Sequence, residues 1–393
     1  MIFLGVLFKK SEEDLIASKS RGAALQNQAN AFQWNCIDGL YENGVKDLCI
    51  VNALPVGCYP KRYTDLVIPS IEWEYRNGKH FQVGSLNLPI LKQYGRYHRC
   101  KKLLHKLQDK EIIIYSPYQP FLKAIKKLDK SYNITLIVPD LPQYYDYGKV
   151  GKIKKILRYL NNRSIEKCMV RVNRFVLLTD AMKEPLGVGN RPYTVVEGIC
   201  NCRNAETIQN QPIEKKIILY TGSLNKKFGI DILLEAFTQI ARDDYELWIC
   251  GGGDYQESVK EASEKDARIK FLGYVSSTQV TEFRGQAAVL VNPRQNVGEY
   301  TKYSFPSKTM EYLLSGKPVI AYKLDGIPEE YDQYFYYVKD NTAQSLARAI
   351  VEVCEDESGR YAKRAKEAVE FILSQKNPKT QVGKIIELMG MKD

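Results

Sequence analysis

The chain has 393 residues, of which 44% are hydrophobic and 26% are charged, and its net charge is +11. This length exceeds one ordinary hydrophobic core, so we expect two domains of fewer than ~200 residues each. Nine scattered cysteines without a C-x-x-C pair, and only three histidines, argue against a disulfide scaffold and against a His-based metal or catalytic site. No apolar stretch reaches the ~20 residues that a membrane span requires. We therefore expect a cytoplasmic protein that does not cross a membrane.

The first half contains short apolar runs that are typical of buried strands. The opening run, MIFLGVLF, lacks the basic segment and cleavage site of a signal peptide, so we interpret it as a strand. The later runs are rich in Val, Ile and Leu, and most of them end in turn or polar residues. They are DLCIVNALP, EIIIYSP, NITLIVPD, RFVLLTD and TVVEG. Together they predict a doubly wound domain.

Two basic segments lie in this half. Residues 149–174 hold nine basic side chains and one acidic one, and residues 92–110 hold seven and one. In 149–174 the apolar residues recur at helical spacing between lysines, as in a helix that lies on an anionic membrane. An ordinary helix packed by its apolar stripe, with a solvated basic face, explains the pattern equally well. The two interpretations stay open.

The second half repeats the alternation of strands and helices. Its strand-like runs are KIILYTG, YELWICGGG, RIKFLGYV, AAVLVNPR and KPVIAYK. Helical patterns separate them, so we predict a second parallel sheet covered on both faces. The polar stretch 201–215 marks the change from one domain to the other. The fold class is therefore α/β, with two doubly wound halves.

Ligands of such open sheets bind beyond the carboxyl ends of the strands. Those ends carry Gly222-Ser223, Gly251-Gly252-Gly253, Gly273-Tyr274 and Pro293-Arg294. Glycines allow a close approach of backbone to ligand. Each of these glycines, taken alone, is also explained by a tight turn.

The stretch YSFPSKTMEYLLSGKPVIAY, residues 303–322, predicts a helix between two buried strands. Ser304 or Ser307 can cap it, and Gly316 ends it. Lys308 in the first turn is unfavourable to the helix dipole by about 0.3–1 kcal/mol, unless an anion binds there. Glu311 on the same helix can accept two hydroxyl hydrogens, as a ribose offers. We interpret this region as a nucleotide-diphosphate pocket.

These motifs, in this order, resemble the donor half of glycosyltransferase family 4. The resemblance rests on GSLNKKFG, WICGGG, FLGYV, NPR and SFPSKTMEYLLSGKPVIA, and more weakly on IVPDLP, LLTDAM and VVEGI in the first half. It implies the GT-B fold, in which two Rossmann-like doubly wound domains face each other across a cleft. It also implies a retaining, metal-independent transferase that uses a nucleotide-sugar. The branch that builds bacterial capsule, exopolysaccharide or O-antigen is the most similar one.

The resemblance also implies a domain organisation. Residues 1–205 would be the acceptor-binding domain and residues 206–375 the donor-binding domain. Residues 376–393 would be a terminal helix that packs back on the first domain.

The resemblance implies roles for single residues. Glu311 matches the second glutamate of the family's E-x7-E motif, which holds the ribose, whereas the first glutamate is replaced by Tyr303. Arg294 and Lys308 are then the leading candidates to stabilise the leaving diphosphate, and Asp140 can orient an acceptor or donor sugar. The remaining donor-site candidates are Ser307, Tyr303, Gly222, Ser223, Lys226, Lys227, Gly251, Gly273 and Tyr274.

Three positions depart from the family pattern. Ser223 stands where an arginine is common, Phe228 where a lysine is common, and Pro139 where a histidine precedes the aspartate. No D-x-D triplet occurs, so we expect neither a metal nor another cofactor.

We expect a nucleotide-sugar donor and a saccharide or lipid-linked acceptor as partners, with peripheral contact to the inner face of the cell membrane. Two other functions compete with this interpretation. A sugar-nucleotide epimerase would bind the same donor without an acceptor. A nucleic-acid-binding protein would explain the pI of about 9.0, but the basic runs carry no known nucleic-acid-binding signature, so we expect no nucleic-acid partner.

Overall fold

The computed structural model describes residues 1–22, 25–142, 152–200, 214–306 and 308–391. The chain divides into two compact units. Unit 1 consists of Met1–Ile199 with Pro378–Asp393, and unit 2 consists of Cys200–Asn377. The boundary predicted at residue 205 falls within 201–213, outside the described residues, and stays a prediction.

Unit 1 is built on an eight-stranded sheet that is parallel except at one edge. The order is β10-β9-β8-β7-β1-β2-β5-β4, and only β4 runs antiparallel to its neighbour. A separate two-stranded sheet pairs β3 with β6. The strands are β1 (Ile2–Gly5), β2 (Cys49–Asn52), β3 (Val67–Ile68), β4 (Ile71–Tyr75), β5 (Gly78–Gln82), β6 (Ser85–Leu86), β7 (Glu111–Tyr115), β8 (Asn133–Val138), β9 (Arg174–Leu177) and β10 (Tyr193–Val195).

All six apolar runs of the first half contain a strand of this sheet. The hairpin β4–β5 was not predicted, although its turn carries a signal. The two loop residues, Arg76 and Asn77, have φ of 48° and 62°, as the type I′ turns of two-residue hairpins require, and asparagine is favoured in such turns.

Five helices of unit 1 lie between these strands. They are α1 (Glu13–Lys19), α2 (Asn27–Glu42), α3 (Leu91–Leu107), α4 (Gln119–Ile125) and α5 (Lys152–Met169). The second half of α5 is anchored by Ile165, Cys168 and Met169, which are buried. Within the described residues, no helix combines the length and the apolar character needed to span a bilayer.

Unit 2 has a six-stranded sheet in which every pair is parallel, with the order β13-β12-β11-β14-β15-β16. The strands are β11 (Lys216–Thr221), β12 (Tyr245–Cys250), β13 (Ile269–Gly273), β14 (Val289–Asn292), β15 (Val319–Ala321) and β16 (Phe335–Tyr337). The first five lie within the five predicted runs. Beyond β11 the order jumps to β14, and this change of direction creates a switch point where ligands of open α/β sheets bind.

Six helices cover the two faces of this sheet. They are α6 (Ile230–Thr238), α7 (Gln256–Lys265), α8 (Ser277–Gln286), α9 (Lys308–Leu314), α10 (Ala343–Cys354) and α11 (Arg360–Gln375). Two separate apolar clusters form, one around Phe237 and Leu346 and the other around Leu290 and Phe371. Helices on both faces of a parallel sheet explain why its strands are apolar throughout.

The last helix, α12 (Pro378–Leu388), belongs to unit 1. It packs against α2 so closely that a Cβ at Gly39 would lie 2.4 Å from the Pro378 carbonyl oxygen and 2.4 Å from Val382 Cγ2. Val382, Ile385 and Ile386 are buried in the unit 1 core. The chain therefore leaves unit 1 at residue 199 and returns to it at residue 378.

Candidate functional site

The candidate site of unit 2 lies at the carboxyl ends of β11 and β14, the two strands that flank the switch point. Gly222 follows β11, Arg294 follows β14, and Lys308 begins the next helix, α9. Tyr312 of α9 fixes this helix to the end of β11, because its buried hydroxyl accepts a hydrogen bond from the Thr221 N–H at 2.9 Å. These connections bring residues that are far apart in sequence into one neighbourhood.

Gly222 has a backbone conformation and a position that only glycine fits. Its φ is 142°, and a Cβ at this residue would lie 2.1 Å from the Lys308 Nζ atom. Gly251, with φ of 135°, packs against it so closely that a Cβ there would lie 1.8 Å from the Gly222 carbonyl oxygen. The glycines predicted from the sequence thus allow the loops to approach each other and allow the lysine side chain to cross them.

The Lys308 ammonium lies against Tyr220 rather than in open solvent. It donates a hydrogen bond to the Tyr220 hydroxyl at 3.0 Å and lies 4.1 Å from the centre of that ring. Burial lowers the pKa of Lys308 to about 7; the Glu311 carboxylate opposes this shift, and the charges of Arg284 and Arg294 add to it. No ion pair involves this ammonium group among the described residues. A lysine in this setting gains from an anion.

Arg294 is the second buried cation of the site. The residue is 9% exposed, and its Nη2 donates to Ser304 Oγ at 3.0 Å. Its guanidinium carbon lies 5.1 Å from the centre of the Tyr300 ring, and its buried Nε has no hydrogen-bond partner in the part of the chain that the structure describes. Burial lowers the pKa of Arg294. An unpaired buried donor on a cation is costly unless a ligand satisfies it.

Glu311 is paired with Arg284, a residue of α8 that the sequence analysis did not select. The two side chains are joined by an Arg284 Nη2–Glu311 Oε2 contact of 2.6 Å. The side chain of Glu311 is 52% exposed, whereas that of Arg284 is 13% exposed and has a buried Nε without a partner. Nothing in the sequence places α8 beside α9, so this third cation could be found only from the fold.

The other predicted donor-site residues are distributed around this cluster. The Ser223 carbonyl accepts a hydrogen bond from the Tyr220 hydroxyl at 2.8 Å, which joins it to the Lys308 contact. Lys226 and Lys227 are exposed in a short 3-10 helix, and the Lys226 ammonium lies 3.7 Å from Asp231. Tyr303 is half-buried at the end of another 3-10 helix. Their predicted roles stay predictions.

Among the described residues, the structure gives no contact that supports the predicted roles of Tyr274, Gly273 and Ser307. Tyr274 is 93% exposed, and Gly273, with φ of 67°, has no neighbour within 4 Å of a Cβ position. Ser307 lies outside the described residues, so its predicted capping and binding role stays a prediction. The neighbouring Ser304, predicted as the other cap, instead accepts the hydrogen bond of Arg294.

Asp140 belongs to unit 1 and follows β8. The surface of the residue as a whole is exposed, whereas partial burial of its carboxyl group raises the pKa of Asp140 to about 6. In the described parts of both units, no group of three or more His, Cys, Asp or Glu residues is arranged to hold a metal ion.

Residues 203–371 match the protein family described as glycosyl transferases group 1. The match covers 169 of the 393 residues, which is less than half of the chain. It includes Gly222, Arg294, Lys308 and Glu311, so the cationic cluster lies within the matched segment. The predicted resemblance of the second half to glycosyltransferases is confirmed.

Two curated relatives that are named as glycosyltransferases are similar to this chain over part of their length. A phosphatidyl-myo-inositol mannosyltransferase of Mycolicibacterium smegmatis is 27% identical over 198 residues, which cover 49% of this chain and 48% of the relative. A D-inositol 3-phosphate glycosyltransferase of Corynebacterium aurimucosum is 24% identical over 164 residues, or 38% of each chain. The chain thus matches about half or less of these relatives.

Solved structures are similar over the whole chain. A sucrose-phosphate synthase of Thermosynechococcus elongatus has a TM-score of 0.65 at 15% identity and covers 99% of both chains. The HepE protein of Anabaena in complex with UDP has a TM-score of 0.62 at 12% identity, covering 100% of this chain and 99% of the other. At this level of identity the likeness establishes the fold. The predicted GT-B architecture of two Rossmann-like domains is confirmed.

Proposed function

We propose that the protein is a retaining glycosyltransferase that moves a hexose from a nucleotide-sugar to a saccharide or lipid-linked saccharide, in the synthesis of a cell-surface polysaccharide. The observation that carries this proposal is the gathering of Lys308, Arg294 and Arg284 beside Gly222 within the segment that matches the transferase family. Within the described residues, the ion pair between Arg284 and Glu311 is the only one that involves any of the three cations. This excess of positive charge suits a diphosphate.

The reaction requires stabilisation of the charge that develops on the diphosphate when the bond to the sugar breaks. Fixed donors aimed at the leaving group supply such stabilisation without reorganisation. Arg294 has a fixed guanidinium whose Nε is unpaired, and an arginine can hold two phosphate oxygens at once. Lys308 supplies a compact charge beside the glycine turn. These side chains replace the arginine and lysine that the family has at Ser223 and Phe228.

Glu311 is proposed to hold the ribose hydroxyls of the donor. Its carboxylate is half exposed and is oriented by Arg284, so one oxygen is fixed while the group remains accessible. A carboxylate accepts two hydroxyl hydrogens, as a vicinal diol offers.

A UDP-sugar is the favoured donor, and a GDP-sugar is the alternative. The UDP complex of HepE, a protein of the same fold, supports uracil as the base of the donor for this chain. The name of the mannosyltransferase relative includes a phosphatidyl-inositol, which supports a lipid-linked acceptor for this chain. We propose that no metal takes part in the reaction, because cationic side chains supply the positive charge that the diphosphate needs. A chelator is therefore expected to leave turnover unchanged.

In unit 1, Asp140 is proposed to orient the acceptor hydroxyl or the donor sugar. The incoming hydroxyl attacks from the face that the leaving phosphate departs from, and the phosphate accepts its proton. Asp140→Asn tests the role, since near-normal turnover would remove Asp140 from the mechanism.

We further propose that the enzyme docks on the inner face of an anionic membrane through residues 149–174, with help from residues 92–110. In the first half of α5, four apolar side chains are exposed rather than packed, and Lys155 is exposed beside them. The four are Ile156, Leu157, Tyr159 and Leu160. Of the two interpretations left open by the sequence, this exposure favours the membrane.

The donor is identified by thermal unfolding with UDP-, GDP-, ADP- and dTDP-sugars. Ligands that bind only the native state raise the unfolding temperature. We expect one base to stabilise the wild type and to have no effect on Lys308→Met. If no nucleotide-sugar stabilises the wild type, the proposal is wrong. Product analysis with the selected donor then separates a transferase from an epimerase.

A further inference from the structure

Unit 1 contains a groove with apolar side chains on one side and basic side chains on the other. Its lining residues are not among those of the proposed reaction. It lies between the hairpin β4–β5 and the second half of α3, and its volume is about 610 Å³. Pockets for small ligands commonly measure about 300–1,000 Å³. The groove is therefore large enough for a ligand rather than for a few waters.

The floor of the groove is apolar. Its apolar side chains are Phe81 from β5 and Leu103 from α3, and both are half-buried. Val83 also lines the groove but is fully buried. Ile71 of the edge strand β4 lies opposite Gln82 in the register, so its side chain lies on the other face of the sheet from Phe81. A hydrocarbon chain would cover the surface of Phe81 and Leu103.

One rim of the groove is basic. Arg99, Lys102, His105 and Lys106, all exposed, line it from α3. Arg99 is fixed by a hydrogen bond from its Nη1 to the Gly84 carbonyl at 2.8 Å, so its guanidinium remains beside the opening. The only carboxylate among the lining residues is Glu72, which is paired with Lys79 at 3.1 Å. The charge of the rim thus has no counterion in the groove itself.

We propose that this groove binds one hydrocarbon chain of a lipid that carries a phosphate head. The chain would lie along Phe81 and Leu103, and the phosphate would contact the ammonium groups of Lys102 and Lys106. The groove differs from the α5 surface, which lies on another helix and is convex. The basic rim belongs to residues 92–110, which the proposed membrane docking also uses. The transferase reaction does not depend on the groove, so failure of groove binding would leave the proposed reaction untouched.

The binding of dodecyl phosphate below its micelle concentration tests this proposal. Titration calorimetry on the full chain is expected to show one saturable site. Dodecyl maltoside, with the same chain and an uncharged head, and inorganic phosphate, with no chain, are expected to bind at least about tenfold more weakly. Equal binding of dodecyl phosphate and dodecyl maltoside, or of dodecyl phosphate and inorganic phosphate, would overturn the proposal.

Two variants locate the site. Leu103→Trp fills the groove, and Lys102→Glu with Lys106→Glu reverses the charge of its rim; each is expected to weaken dodecyl phosphate binding about tenfold or more. Lys101→Glu, on the same helix but outside the groove, is the matched control and is expected to bind like the wild type. The charge variants change exposed residues, so folding is retained. Wild-type affinity in both groove variants would contradict the proposal.

Discussion

At the scale of single residues, the position of the Lys308 side chain depends on Gly222. The glycine leaves open the space through which the lysine reaches Tyr220, and its φ of 142° is not accessible to other residues without strain. The motif of glycine after a strand was readable in the sequence. That its missing side chain makes room for one particular ammonium group was not, because 86 positions separate the two residues.

Gly222→Ala therefore has two effects. The added Cβ would displace the Lys308 ammonium, so we expect nucleotide-sugar affinity to fall about tenfold or more, and strain should cost about 1–3 kcal/mol of stability. Gly359→Ala is the control, because that glycine also has a positive φ of 71° but no neighbour within 4 Å. The control should lose stability and keep donor affinity. Equal affinities in the two variants would contradict the arrangement.

The protonation of Lys308 predicts a pH dependence of donor binding. Since burial lowers its pKa to about 7, the amine loses its proton as the pH rises through this value, and a neutral amine attracts a diphosphate less. We expect the affinity for the selected nucleotide-sugar to be highest below neutrality and to fall above it. Lys308→Arg stays charged over this range and should flatten the profile. A flat wild-type profile would show that Lys308 does not bind the diphosphate.

The ion pair between Arg284 and Glu311 could not be predicted from the sequence. Glu311 was selected because it resembles a family motif, whereas Arg284 lies in a polar helix with no distinguishing pattern. Their contact of 2.6 Å depends on the packing of α8 beside α9. Such a pair is a property of the tertiary structure, and spacing along the chain cannot reveal it.

At the scale of elements, the two halves of α5 lie in different environments. Its second half is anchored through Ile165 and Met169, whereas Leu157 and Leu160 in its first half are exposed. The sequence predicted the helix and its amphipathic pattern. It could not decide whether the apolar stripe was covered, because that depends on which neighbours reach it.

Leu157→Asp with Leu160→Asp tests the role of this surface. Both side chains are more than half exposed, so the change should have little effect on stability while removing the apolar contact with lipid. We expect the wild type to pellet with vesicles of anionic lipid at low salt and the variant to stay in the supernatant. Leu373→Asp, at an exposed leucine of α11, should pellet like the wild type. Pelleting of both variants would exclude this surface.

At the scale of the whole molecule, the chain completes unit 1 with its last helix. The strands of both sheets followed from short apolar runs, because parallel strands buried on both faces have a strong signature. The antiparallel hairpin at the edge of unit 1 was missed, since its half-exposed strands lack that signature. The Asn77-Gly78 pair in the sequence was the available clue, although Arg76 and Asn77 form the turn itself.

Truncation after Asn377 tests the dependence of unit 1 on α12. Removal of Val382, Ile385 and Ile386 exposes apolar surface of the unit 1 core, and each such side chain contributes about 1.5–3 kcal/mol when buried. We expect unit 1 to become sensitive to limited proteolysis while residues 214–377 stay resistant. If both units keep wild-type resistance, α12 contributes little.

The central claim is that the cationic cluster of unit 2 binds the diphosphate of a nucleotide-sugar. Calorimetric titration of the wild type with nucleoside diphosphates and with the matching nucleosides measures the diphosphate contribution directly. Charged hydrogen bonds contribute about 1.5–3 kcal/mol each, so we predict that the preferred diphosphate binds about a hundredfold tighter than its nucleoside, and that Arg294→Gln with Lys308→Met removes this difference. Equal affinity of diphosphate and nucleoside for the wild type would contradict the account.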